Sequence, residues 1–123
     1  MNYSKKIMQH FLNPKNMGKM KNPDAVGKIG NPICGDIMEV FIKIKNKKIS
    51  DIKFQTFGCV AAIASSSMIT ELAKGKTIEQ AKKLTYKEVS KELKYLPPIK
   101  VHCSAMAIQA LKKAIEDFEK NGK

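Results

Sequence analysis

From Ile37 to Lys45 the apolar side chains alternate. Met38, Val40, Ile42 and Ile44 fall on one side of an extended chain, and Glu39, Lys43 and Lys45 fall on the other. Period two marks a half-buried strand, since successive side chains point to opposite faces of a sheet. Asn46-Lys47 can turn the chain, although it lacks the glycine that favours the tightest hairpins. Ile49 to Thr56 then reads as the partner strand, with Ile52 and Phe54 sharing a face, and Ala25 to Ile29 as a further short strand.

The rest of the chain changes period. Tyr3 to Leu12 forms a short helix with Ile7, Met8, Phe11 and Leu12 as its apolar stripe, stopped by Asn13-Pro14 and Gly18. Val60 to Lys74 is a helix rich in small residues, closed by Gly75. Thr77 with Gln80, and Thr85 with Glu88, have the spacing of capping boxes and start short helices over 78–84 and 86–93. Leu96-Pro97-Pro98-Ile99 is extended, because a residue before proline avoids the helical basin. The last helix starts near Cys103 and Ser104 and carries Ala107, Ala110, Leu111, Ala114 and Phe118 at spacings of three and four. Helix, then strands, then helices is an α+β order. No repeat or linker divides residues 1–123, and 123 residues fit a single domain.

Charge excludes some functions. The net charge is +12, and all 23 basic residues are lysine. Without arginine the chain lacks the planar fork that reads guanine edges and clamps phosphates, and its lysines are spread out, so no nucleic-acid partner is expected. An acidic protein partner suits the same field. The uncharged stretch Phe54 to Thr70 is short for a membrane span and holds Gln55, Thr56 and Ser65 to Ser67, so no membrane is expected either. With no secretory leader in Met1 to Leu12 and three cysteines, the thiols read as reduced and the chain as cytoplasmic.

The chemistry concentrates at those cysteines. Cys34 lies in Gly30-Asn31-Pro32-Ile33-Cys34-Gly35-Asp36, just before a strand; Cys59 follows Gly58 at a strand–helix junction; Cys103 follows His102 where extended chain enters the last helix. Cys59 and Cys103 fall at helix amino termini, where the macrodipole favours thiolate, the form that binds metal and attacks electrophiles. Small buried hydrophobes are the plainer reading of any one cysteine. All three, however, avoid the periodic apolar faces. There is no C-x-x-C pair, which removes the local signature of a zinc ribbon or thioredoxin-type site. Three thiolates with Asp36 or His102 make a four-ligand set for zinc or an iron–sulfur cluster. His10, far from every cysteine in sequence, reads as structural. Ser65 to Ser67 read as small residues on a helix that approaches the sheet.

Four segments carry a resemblance that covers nearly the whole chain. Asn13-Pro14-Lys15-Asn16-Met17-Gly18, Gly30 to Asp36, Phe57-Gly58-Cys59-Val60-Ala61-Ala62-Ile63-Ala64-Ser65-Ser66-Ser67, and Leu96-Pro97-Pro98-Ile99-Lys100-Val101-His102-Cys103-Ser104 resemble the signatures of the IscU/NifU-type iron–sulfur cluster scaffold family, in order and spacing. His102 sets the chain nearer IscU and NifU than SufU, whose members typically lack it. Nothing after Cys103 supplies the further cysteine-bearing domains of full-length NifU.

The resemblance implies an N-terminal helix, a three-stranded antiparallel meander and several helices packed on the sheet. It implies a scaffold, not a turnover enzyme, that assembles a [2Fe–2S] cluster from iron and desulfurase-derived sulfur and passes it to apo iron–sulfur proteins. Cys34, Cys59 and Cys103 map onto the cluster thiolates, and Asp36 and His102 onto positions that complete or modulate ligation. Cys103 is the favoured persulfide acceptor, and Lys100 a charged neighbour of the site. Leu96, Pro97, Pro98, Ile99 and Lys100 match the segment bound by a specialised Hsp70. The implied partners are a cysteine desulfurase of IscS/NifS type, the Hsp70 with its J-protein, a ferredoxin and a frataxin-like protein.

The donor set gives that activity a physical reason. Three cysteines cannot supply the four thiolates of a stable ferredoxin centre. A fourth oxygen or nitrogen ligand is harder than thiolate and suits iron in sulfide less well, so the cluster is held loosely enough to leave. A zinc-binding sulfur-relay or interaction protein that never holds a cluster is the alternative. Zinc would take Cys34, Cys59, His102 and Cys103 and leave Asp36 surplus. A Cys–His hydrolase using His102 and Cys103 fits worse, because sequence neighbours rarely meet as nucleophile and base.

Overall fold

The computed structural model describes residues 5–31, 36–57, 60–92 and 101–120. Helix α1 (Lys5–Leu12) precedes three strands, β1 (Ala25–Asn31), β2 (Asp36–Lys45) and β3 (Lys48–Phe57). Four helices follow: α2 (Val60–Ala73), α3 (Ile78–Lys82), α4 (Tyr86–Glu92) and α5 (Val101–Lys120). The strands form one antiparallel sheet in the order β1-β2-β3, the meander expected. The strands run one or two residues beyond the expected limits, and α5 begins at Val101, two residues early.

The alternation of β2 decides which face is covered. Met38, Val40 and Ile42 are buried with their register partners Phe54 and Ile52 of β3 and Ala25 of β1. α2 and α5 lie on this face, so the domain has two layers. α5 sits against β1 at Gly27, where a Cβ would run into the backbone at Ala110 and Ala114. That glycine is what lets helix and strand approach so closely. Phe41 shares the face of Glu39 and Lys43, yet it is buried between its cross-strand partners Val26 and Lys53. An aliphatic lysine stem covers apolar surface while its ammonium stays wet, which sequence alternation alone does not reveal.

α1 departs from its expected stripe. Ile7 is buried, but Leu12 is exposed and His10 takes the inward place, only 5% exposed. His10 Nδ1 lies 2.6 Å from Ser67 Oγ, which also accepts from the Lys15 amide. Thr70 Oγ1 donates to the Ser67 carbonyl and accepts from Asn16 Nδ2. α1 is thus pinned to α2 by polar groups that satisfy each other, as burial requires. Beyond α1, the Phe54 amide donates to the Asn16 carbonyl and the Phe54 carbonyl accepts from Gly18, which covers the outer edge of β3 at that point.

The hairpin tip and α3 close the opposite end. Asn46 and Lys47 both adopt positive φ, 54° and 63°, so the turn has the primed form without glycine. Ile49 pairs with Lys76 and Gly75, and the Ile78 amide donates to the Lys47 carbonyl. Thr77 and Gln80 form the expected capping box. The Glu88 amide donates to Thr85 Oγ1 at 3.4 Å, a weaker version of the second cap. Lys82 joins α3 to α5 through Glu119 at 2.6 Å, and that hydrogen bond raises the Lys82 ammonium above its ordinary pKa.

Candidate functional site

Because neighbouring strands run in opposite directions, the end of β1, the start of β2 and the end of β3 meet at one end of the sheet. Asn31, the last residue of β1, pairs with Asp36, the first of β2, and Ile37 pairs with Phe57, the last of β3. Residues 32–35, which include Cys34, therefore join the two ends of a closed ladder. Residues 58–59, which include Cys59, leave from the neighbouring strand end. α2 then starts at Val60, and its Ser66 donates to Met38 Sδ at 2.9 Å, two residues along β2 from Asp36.

α5 runs to the same end. Near its C-terminus, Phe118 and Glu119 line a cavity of about 760 Å³ with Asp24, Ile44 and Asn46, at the hairpin-tip end of the sheet. Ala110 and Ala114 pass over Gly27, in the middle of β1. From Ala110 back to Cys103 is roughly 10 Å of helix, and from Gly27 on to Asn31 roughly 13 Å of strand. The first turn of α5 thus lies at the level of Asn31 and Asp36. That turn carries His102 and Cys103 inside the helix, two residues further in than expected, among amides without intrahelical acceptors.

Among the sequence-derived site residues, the backbone places Asp36, His102 and Cys103 at this end. Cys34, Cys59, Lys100 and the segment Leu96, Pro97, Pro98 and Ile99 lie outside the described residues. Among the described residues no three His, Cys, Asp or Glu side chains gather as a metal-holding group. His10 is accounted for by its bond to Ser67. The serine run is partly more than small: Ser67 holds α1, and Ser66 bonds Met38 and the Ala62 carbonyl. Ser65 Oγ is buried without a partner. No helix among the described residues is long and apolar enough to cross a membrane.

An open antiparallel sheet covered on one face by helices, with Asp36 at a strand start and His102 and Cys103 in the first turn of a helix at the same end, defines a class of two-layer α+β protein. Residues 2–123 match the model of the NifU-like N terminal domain, and the chain belongs to that family. Among curated proteins it is 58% identical over 122 residues to the iron-sulfur cluster assembly scaffold protein IscU 1 of Archaeoglobus fulgidus, covering 98% of this chain and 80% of that one. It is 46% identical to the IscU scaffold protein of Haemophilus influenzae, with 97% of each chain covered. Among solved structures, the NifU-like N-terminal protein of Brucella abortus superposes with a TM-score of 0.80 at 20% identity, over 97% of this chain and 95% of that one, a likeness of fold. A putative SUF-system scaffold protein from Fervidobacterium islandicum gives a TM-score of 0.72 at 25% identity, over 92% of this chain and 96% of that one.

Proposed function

We propose that this chain is a scaffold on which a [2Fe–2S] cluster is built and from which it is passed to apo-proteins. The observation that carries the reading is the convergence of Asp36, the strand exit after Phe57 and the His102-Cys103 turn at one end of the sheet. The names of the relatives support it. The cluster is cargo. Cys34, Cys59 and Cys103 hold it as thiolates, and Asp36 or His102 offers the harder fourth ligand. Asp36 begins a ten-residue strand and pairs with Asn31 of β1, and Ile37 beside it pairs with Phe57 of β3, so its backbone is anchored two residues after Cys34. A carboxylate anchored there competes with sulfur for the open iron position and leaves that position accessible to an incoming thiol.

Cys103 accepts persulfide sulfur from a cysteine desulfurase. The desulfurase cysteine persulfide gives its outer sulfur to the Cys103 thiolate, and the desulfurase thiolate leaves. The helix amino terminus stabilises the attacking thiolate. An Hsp70 with its J-protein, a ferredoxin and a frataxin-like protein are the further partners of this reading, with Leu96 to Lys100 as the Hsp70 segment.

The test is anaerobic incubation with ferrous iron, cysteine and a cysteine desulfurase, counting iron and acid-labile sulfide, then offering the product to an apo-ferredoxin. Two iron and two sulfide per cluster followed by transfer is the expected result. Tight zinc with no sulfide uptake after chelation would replace this reading with the zinc relay. Asp36→Ala should lengthen the cluster's lifetime and slow its transfer about tenfold, one tenfold step being about 1.4 kcal/mol in the barrier. Equal transfer rates would remove Asp36 from the release step.

A further inference from the structure

Among the described residues no strand pairs with the outer edge of β1, and the sheet's geometry shows which groups that edge presents. In a strand, a residue's N–H and C=O point to the same side, and neighbouring residues alternate. Phe54 spends both groups on Asn16 and Gly18, away from β2. Its register partner Val40 therefore directs its own groups toward β1, where it faces Gly27. Gly27 is then bonded inward, and Val26, Lys28 and Gly30 turn their amides and carbonyls outward. Consistent with this, the Lys28 carbonyl accepts from Lys113 Nζ at 3.3 Å, from outside the ladder. Among the described residues it is the sole partner on that edge.

Open edges invite strand addition, and proteins guard them with lysine. Here the guards also select. Pairing of β1 with a second copy of itself, centred for full overlap, sets Lys28 against Lys28, which like charge opposes. Lys113 beside it adds a second positive charge. An extended segment bearing carboxylates meets the reverse situation, because both ammonium groups then become counter-charges. Gly30 and Lys28 are exposed, and a Cβ at Gly30 would meet nothing within 4 Å, so an added strand has room. β1 ends at Asn31, paired with Asp36 at the start of β2.

We propose that the outer edge of β1 docks an extended acidic segment of an unlike protein by strand addition, aligning that protein with the end of the sheet that carries Asp36 and Cys103. The placement beside the cluster rests on the function proposed above; the docking itself does not. The segment's amides bond the carbonyls of Val26, Lys28 and Gly30, Lys113 swings off the Lys28 carbonyl, and carboxylates pair with the two lysines.

The test uses the metal-free, isotopically labelled full chain and a capped seven-residue peptide of alternating valine and glutamate. Amide exchange at Val26, Lys28 and Gly30 should slow at least about tenfold on saturation, while Gly27 and Ile29, already bonded to β2, stay unchanged. Lys28→Pro removes an outward donor that the ladder does not use, so the fold survives and binding weakens at least about tenfold. Lys28→Glu keeps the donor and reverses the charge; it should lose the acidic peptide and accept one of alternating valine and lysine. No slowing at those three amides, or equal binding by Lys28→Glu and the parent, would overturn the proposal. Protection that grows with protein concentration without peptide would do the same in favour of self-pairing. Chemical reconstitution with ferrous iron and sulfide, which requires no partner, reads the cluster proposal separately, so either one can fall alone.

Discussion

At the scale of single residues, two positions show opposite kinds of constraint. Gly27 sits where α5 presses its backbone on β1, and no side chain fits without moving one of them. Gly27→Ala should destabilise the fold by about 3 kcal/mol, the upper range for overpacking a closed core. Urea unfolding would show it as a lower midpoint at unchanged slope, and an unchanged midpoint would mean that α5 is free to shift. Ser65 is the reverse. Its hydroxyl is fully buried with no partner among the described residues, and removing such a group recovers about 1 kcal/mol or more of desolvation. Ser65→Ala should therefore raise the melting temperature, and a fall would indicate that the hydroxyl holds a buried water. Neither feature is legible in the sequence. A serine in a small-residue helix and a glycine in a short strand look ordinary until the neighbouring backbone is known. Lysines such as Lys53, which shields Phe41, mislead for the same reason.

Elements were legible where a local pattern decides them and misread where a tertiary contact does. The alternation of β2, Gly75 after α2 and the Thr77 box appear as the residues dictate. α1 is the exception: its stripe points to Leu12, yet Ser67, whose hydroxyl oxygen also accepts from the Lys15 amide, draws His10 inward. A polar pair 57 residues apart leaves no periodic trace. The candidate site was legible to a different degree. Its cysteines declare themselves by lying off the apolar faces at element ends, but that the ends coincide depends on strand order and on the path of α5, which no local pattern contains. The hairpin joining β2 and β3 carries its own test. Lys47 holds φ at 63°, which costs a residue with a Cβ about 1–2 kcal/mol that glycine avoids. Lys47→Gly should gain roughly 0.5–1 kcal/mol by denaturant titration, net of the added chain entropy. A loss would show that the Lys47 side chain itself stabilises the tip.

For the whole molecule, charge is the property with the longest reach. At +12 with no arginine, its field acts at a distance and carries little directional recognition. On the function proposed above, encounter with an acidic acceptor should slow about tenfold between low salt and roughly 0.3 M, while the rate of cluster loss to a small uncharged chelator stays flat. Stopped-flow transfer at several ionic strengths separates the two, and a salt-independent encounter would mean that the lysines serve solubility alone.

The Asn46-Lys47 tip stands about nine strand residues from Asp36, roughly 30 Å, and is exposed. A single biotin at Asn46 would hold every molecule on a sensor surface with its sulfur-bearing end facing the solution, whereas amine coupling through 23 lysines would leave them lying in every direction. The spacing between the two ends of one small sheet thus turns a bulk measurement into an oriented one.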